Sequence, residues 1–372
     1  MNRFLSIKIK KKKINLMGSS SPKKEDKEQD KSFISTILQV LYNINILHKY
    51  IKNNEFNNNK YLSNALKELF YTRISKIDWE QESKKIIKLL LKYYNLKTES
   101  KPGEALIQIL MVLKLEEKDM LLPNWENEAL NNQKLFNNLV NEKMALNDIL
   151  DINRNNFDTL LASNFFGIML SKRKLMNNNN IMFFYNFYCV YEMNLPAIYY
   201  SMVNKGKIMH DENNLPNLNL IDCIKEMQET KIQIYNNQQC LTEYYMFNAP
   251  NYLIFILNNE HKNLEQFRGH VLFQELSDFS SVILNTQINK FKLFSIIDSK
   301  RYNQKNKEKD GTQWFQNNEE LDDKQYKALI RNENSEIFFY YNEENKTKDY
   351  SLNIIDNNYF HHILIFSRLN NN

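Results

Sequence analysis

Cysteine, glycine and proline are all scarce in this chain, at three, six and six among 372 residues. Three scattered thiols, Cys189, Cys223 and Cys240, cannot make a disulfide framework and point to a reducing compartment. No glycine-rich loop is present to cradle a phosphate. Long apolar runs are also missing. The longest, Tyr252–Leu257, falls far short of the ~20 residues a membrane helix needs. The flank Ile14–Met17 is too short for the apolar core of a signal peptide. These features predict a soluble protein of the cytosol or nucleus, with no membrane partner.

The net charge is +5, but Lys8 and Lys10–Lys13 carry much of it, and the remainder is close to neutral. No folded basic face is left for a nucleic acid. Residues 1–30 are polar, and Gly18-Ser19-Ser20-Ser21-Pro22 breaks them, so they read as a disordered basic arm. Asparagine is conspicuous, in runs such as Asn57–Asn59, Asn177–Asn180 and Asn370–Asn372. Asn accommodates turns readily, so the runs mark surface loops.

At Ser32 the pattern changes. Phe33, Ile34, Ile37, Leu38, Leu41, Ile44 and Leu47 recur every three or four residues and predict one amphipathic helix over 33–50. Further helices are expected at Tyr61–Tyr71, Trp79–Tyr94 and Glu104–Leu113, the last opened by Pro102 and Gly103, with more helix through 127–163. From about 164, short aromatic and β-branched runs predict strands at 181–185, 197–201, 244–247, 252–257, 269–273, 291–297 and 336–341, with Leu218–Gln228 helical. Helices first and strands later imply an α+β fold.

Several segments, in order, carry a resemblance. Ser32-Phe33-Ile34-Ser35-Thr36-Ile37-Leu38-Gln39-Val40-Leu41 resembles the helix that opens the ubiquitin-specific proteases (USPs), Asn-Thr-Cys-Phe-x-Asn-Ser-x-Leu-Gln-x-Leu. Gly103–Leu110 resembles the family's Ala-His-Glu-Phe-Leu helix, Phe166–Ser171 the start of its fingers, Leu218–Ile224 a helix crossing them, and Pro250–Leu257 its Pro-x-x-Leu-x-x-x-Leu strand. Phe291–Ile297, Trp314 and Ile337–Tyr341 resemble the closing strands. The resemblance implies a papain-like cysteine-protease fold of the USP type. It divides 31–342 into a helical thumb (31–163), β fingers (164–250) and a β palm (251–342), with 343–372 as a C-terminal extension.

The family's chemistry needs a thiolate at a helix N-terminus, a histidine base and an acidic or amide residue to orient it. The resemblance places Ser32 at the cysteine position, where it also suits a helix N-cap. Counting back from Trp314 puts Arg301 in the histidine slot, followed by Tyr302, and counting forward puts Glu319 in the acidic slot. Arginine cannot serve as a base, since its pKa exceeds ~12. Lys27 and Gln29 fall where an oxyanion-stabilising asparagine and a glycine are expected. Ser32, Arg301 and Glu319 are therefore degenerate triad positions, expected to meet in one cleft without function.

The family's zinc site needs two Cys-x-x-Cys pairs. The stretch Ser171–Met176 has no cysteine and the second stretch keeps only Cys240, so no metal or cofactor is expected. Cys189 and Cys223 read as buried, inert thiols. His361 and His362, adjacent in a strand, would point to opposite faces. The resemblance then implies a scaffold that binds ubiquitin, a ubiquitin-like protein or other proteins. Two alternatives stand beside it: a deubiquitinase working through Ser32 or Cys240 with a histidine brought from elsewhere, and a structural subunit of a larger assembly.

Overall fold

Ser32–Asn43 forms helix α1 and Asn45–Asn53 helix α2. The single helix expected over 33–50 is thus broken at Ile44, which adopts an extended conformation (ψ 103°) just before the second segment and makes no side-chain cap to it. The computed structural model describes residues 32–73, 76–96, 102–117, 134–136, 159–177, 181–211, 214–235, 237–284, 289–300, 326–331, 338–341, 349–350 and 359–369. The basic arm and the 301–325 segment lie outside them. Helices α3 (Tyr61–Tyr71), α4 (Trp79–Tyr94) and α5 (Pro102–Glu117) complete a helical lobe. Asp78 caps α4 by accepting from the Gln81 amide at 3.0 Å, and Asn95, in the left-handed conformation at φ 53°, closes it.

Two adjacent glutamates at the end of α5 tie this lobe together. The buried Glu116 accepts from the amides of Leu62 (2.8 Å) and Ser63 (2.7 Å), from the Ser63 hydroxyl (2.6 Å) and from the Tyr94 phenol. It thereby supplies the N-terminal cap that α3 lacks in its own sequence. Glu117 adds a second acceptor at helix α6 (Leu160–Phe165), taking the Leu161 amide at 3.0 Å beside the helix's own cap, Thr159, which accepts from the Ala162 amide at 3.3 Å.

A five-stranded sheet follows, in the order β1 (Lys134–Phe136), β3 (Ile181–Tyr188), β2 (Gly167–Leu175), β8 (Gln238–Asn248) and β7 (Lys231–Tyr235), all antiparallel. Strand β1 lies within the stretch expected to be helical. Its three residues gain order by pairing with Phe183–Tyr185, a non-local contact with no local signature.

The large sheet runs β15 (Asp349–Tyr350), β14 (Phe338–Tyr341), β13 (Tyr326–Arg331), β12 (Lys290–Lys300), β16 (Tyr359–Arg368), β9 (Tyr252–Asn258), β4 (Tyr191–Asn194), with β11 (Leu276–Asp278) also on β12. Residues 359–368 are therefore no appendage. They sit between β9 and β12, so the boundary expected at 342/343 cuts through one sheet. A small sheet of β5 (Met209–His210), β6 (Pro216–Asn219) and β10 (His270–Leu272) sits apart.

The segment 197–201, expected as a strand, lies inside helix α7 (Leu195–Asn204). Asn194 accepts from the Ala197 amide at 3.0 Å and Pro196 occupies the first turn, start signals that outweigh the aromatic run Tyr199-Tyr200. Asn219 likewise caps helix α8 (Leu220–Gln228) through the Ile221 amide at 2.9 Å.

Both faces of the large sheet are covered, and the pleat divides its residues between two cores. Ile254, Ile256, Ile297, Ala328, Ile363 and Ile365 pack with the helical lobe. Leu253, Phe255, Leu257, Leu364 and Phe366 pack with α7, α8 and the loops beyond. Double coverage is why Tyr252–Leu257 is apolar at every position. Close packing leaves little slack at Gly269. A Cβ there would fall 2.0 Å from the Pro216 carbonyl oxygen and 2.6 Å from the Phe267 ring. Gly269→Ala should lower stability by about 1–3 kcal/mol, read as a lower urea midpoint at constant slope; an unchanged midpoint would contradict the packing described.

Candidate functional site

Helix α1, the end of β12, the start of β13 and one residue of β16 converge at one corner of the large sheet. Ser32 is the first residue of α1. Phe33, in the same turn, meets the ring of Tyr326, the first residue of β13, edge-on at 5.9 Å. Tyr326 in turn meets the ring of His362 at 5.4 Å.

The ladder between β12 and β16 shifts by one residue here. Ile297 faces Ile363 and Asp298 faces His361, leaving His362 as the extra residue of a β-bulge. The two histidines bond to different neighbours as a result. His361 Nδ1 lies 2.6 Å from Asp298 Oδ1. His362 Nε2 lies 2.7 Å from Ser299 Oγ. Asp298 and Ser299 are successive residues of one strand, so the two pairs lie on opposite faces and do not converge on a common ligand. Asp298 is buried, and Lys327 faces it in the ladder from the other side.

Of the positions singled out from the sequence, the structure places Ser32 at the head of α1. Arg301 and Glu319 lie outside the described residues. The tyrosine packed against the first turn of α1 is Tyr326. The corner also contains a histidine and a serine, His362 and Ser299, that sequence reasoning did not bring to it. The available signal was the apolar run Ile363–Phe366, which marks a buried strand and would have carried the flanking histidines into the sheet.

Two chains of the SAGA DUB module, the first of them from yeast, share this architecture. The module with an Sgf73 mutant aligns at a TM-score of 0.56 and 13% identity, covering 92% of this chain and 67% of that one. The Ubp8, Sgf11, Sus1 and Sgf73 module bound to monoubiquitin aligns at 0.57 and 12%, covering 93% and 68%. The chain has the fold of a USP catalytic domain. It spans about two-thirds of the length of those chains. No family profile and no curated protein sequence matches it. In the USP-type layout the helical lobe is the thumb, the five-stranded sheet the fingers and the large sheet the palm.

Within the fingers of this USP-like fold, Cys240 on β8 faces Leu175 on β2, so the two stretches compared with zinc-binding pairs do lie side by side. Cys240 is fully buried, 3.5 Å from the Thr242 hydroxyl, and it is remote in the fold from the corner at α1. That removes it as a nucleophile for the corner. Among the described residues no three His, Cys, Asp or Glu side chains gather as a metal site.

The other thiols are equally enclosed. Burial pushes both Cys189 and Cys223 up to about 12. A thiol that stays protonated is a poor nucleophile. The native protein should therefore leave all three cysteines unmodified by iodoacetamide at pH 8, with alkylation following only after unfolding; prompt native labelling would refute their enclosure. The raised values also set the sign of an alkaline effect. Unfolded thiols release their protons from about pH 8.5 while the folded ones hold theirs. The stability they contribute is complete below that pH and is lost as pH rises towards 12.

Proposed function

We propose that this chain is a USP-like domain that binds ubiquitin or a ubiquitin-like protein without cleaving it. The observation carrying this reading is chemical: α1 begins with Ser32 where the family's helix carries the nucleophilic cysteine. The base is missing under either placement. Counting from Trp314 assigns the histidine slot to Arg301, and counting from Tyr326, the tyrosine at α1, assigns it to Gln325. A guanidinium stays charged and an amide does not titrate, so neither activates a nucleophile. Under the first placement Arg301 and Glu319 stand in the slots of the His–Asp pair, opposite charges with no histidine base among them.

Retention of thumb, palm and fingers supports the binding half of the reading, as does the neighbour that is bound to monoubiquitin. The solved structures named above come from a multi-protein module, which favours a place for this chain in an assembly with other proteins. Thiol usage supports the cytosol or nucleus. Isothermal titration with monoubiquitin, paired with a ubiquitin–fluorophore cleavage assay, tests both halves. Heat of binding without release of fluorophore is expected. No binding at millimolar ubiquitin removes the ligand, and steady turnover removes the inactivity.

A further inference from the structure

We propose that Ser299 and His362 form a nucleophile–base pair of their own, able to accept an acyl group from an activated carboxyl compound such as an ester or thioester. The Ser299 Oγ to His362 Nε2 distance of 2.7 Å is the hydrogen bond through which an imidazole removes a hydroxyl proton. No residue that the USP resemblance assigns to catalysis takes part.

Three features set this pair apart from an incidental strand contact. The first is the bulge. Without the one-residue shift in the ladder His362 would have a cross-strand partner, whereas the bulge frees it from the ladder and turns it onto Ser299. Bulges that re-aim a side chain are concentrated beside functional sites. The second is fixation. The imidazole is flanked by the rings of Phe360 at 4.9 Å and Tyr326 at 5.4 Å, which hold its plane. The third is location. Tyr326 also touches Phe33 in the first turn of α1, so the pair borders the corner at which Ser32 begins the helix. Ser299 itself is 4% exposed, while His362 is only half-buried and borders the corner.

With the Nδ1-protonated tautomer, Ser299 Oγ attacks the carbonyl carbon and its proton passes to His362 Nε2. The imidazolium returns that proton to the departing alcohol or thiol, leaving an acyl ester on Ser299. Water, deprotonated by the same nitrogen, then releases the carboxylic acid and restores the serine. The proposal stands apart from ubiquitin binding, since the scaffold reading can fail while the pair reacts, and the reverse.

The full-length protein treated with an alkyl fluorophosphonate provides the test. Oγ displaces fluoride from phosphorus, and the hydroxyl proton leaves with it. Mass spectrometry of the labelled peptide should place the adduct on Ser299, at a rate that rises with pH through the imidazole range and then levels. Ser299→Ala should abolish it, and His362→Gln should slow it by about 10²-fold or more while thermal unfolding shows the variant folded. An adduct on Ser32 or elsewhere, a rate indifferent to pH across that range, or no adduct beyond that of a heat-denatured control would each overturn the proposal. The first and last of these are read on the unmutated protein, so they hold even where a variant fails to fold.

Discussion

Removal of residues 343–372 should leave a chain that does not fold. Strand β16 fills the gap between β9 and β12, and its side chains Phe360, Ile363, Leu364, Ile365 and Phe366 are all buried. At about 1.5–3 kcal/mol for each large apolar side chain, these five account for roughly 8–15 kcal/mol. That equals the entire stability expected of a domain, about 5–15 kcal/mol. The ladder partners of β16 on both sides would be left unpaired inside the molecule, a further cost. Circular dichroism and urea titration of the truncated chain should show no cooperative transition. A truncated chain that melts cooperatively with near-native secondary structure would mean that the strand is dispensable.

The second large effect should follow Glu116→Ala. Its carboxylate gathers the amides of Leu62 and Ser63, the Ser63 hydroxyl and the Tyr94 phenol in a buried site. Truncation leaves those donors without an acceptor and leaves the α3 N-terminus uncapped. Removing one partner of a buried charged network costs about 3–5 kcal/mol, read from the urea midpoint. Glu116→Gln retains one acceptor oxygen but turns an amide group towards donors, so an intermediate loss is expected. A loss for Glu116→Ala within the range of ordinary surface substitutions, about 0.5 kcal/mol, would show the network to be idle. The same site has an alkaline signature. Burial, and then the charge of Glu116, raise the Tyr94 phenol well above its usual value. The folded state therefore keeps a proton that the unfolded state releases from about pH 10 upward, and the stability tied to it is lost as pH rises beyond that point. Glu116→Ala should weaken this alkaline sensitivity.

The helical lobe was legible because its helices carry their own apolar periodicity, and α4 its own caps as well. Trp79–Tyr94 announces itself with Asp78 before it and Asn95 after it. The strands of the large sheet were legible as apolar runs, Tyr252–Leu257 above all. Three kinds of feature stayed hidden. Aromatic residues at 197–201 suit a strand as well as a helix, and Asn194 with Pro196 decided for helix. Strand β1 and the caps supplied by Glu116 and Glu117 depend on partners far along the chain. Strand β16 reads as a tail only while its partners are unknown.

The site was legible in part. The helix start at Ser32 could be read, because a helix start has a local signature. Which tyrosine faces that helix could not, because only the ladder from β12 to β13 brings Tyr326 to Phe33. The meeting of Ser299 and His362 depends on a bulge, and a one-residue irregularity in pairing leaves no mark on composition or periodicity.

The position of β16 also has a temporal side. As the chain emerges from the ribosome, β9 and β12 are made well before residues 359–368, the strand that joins them. Through that interval their apolar flanks and open backbone edges have no native partner within reach. Such edges are sticky, and strand pairing across large sequence separations is slow. The nascent protein therefore has a window in which a holding chaperone would matter more than for a domain whose sheet grows outward in order of synthesis.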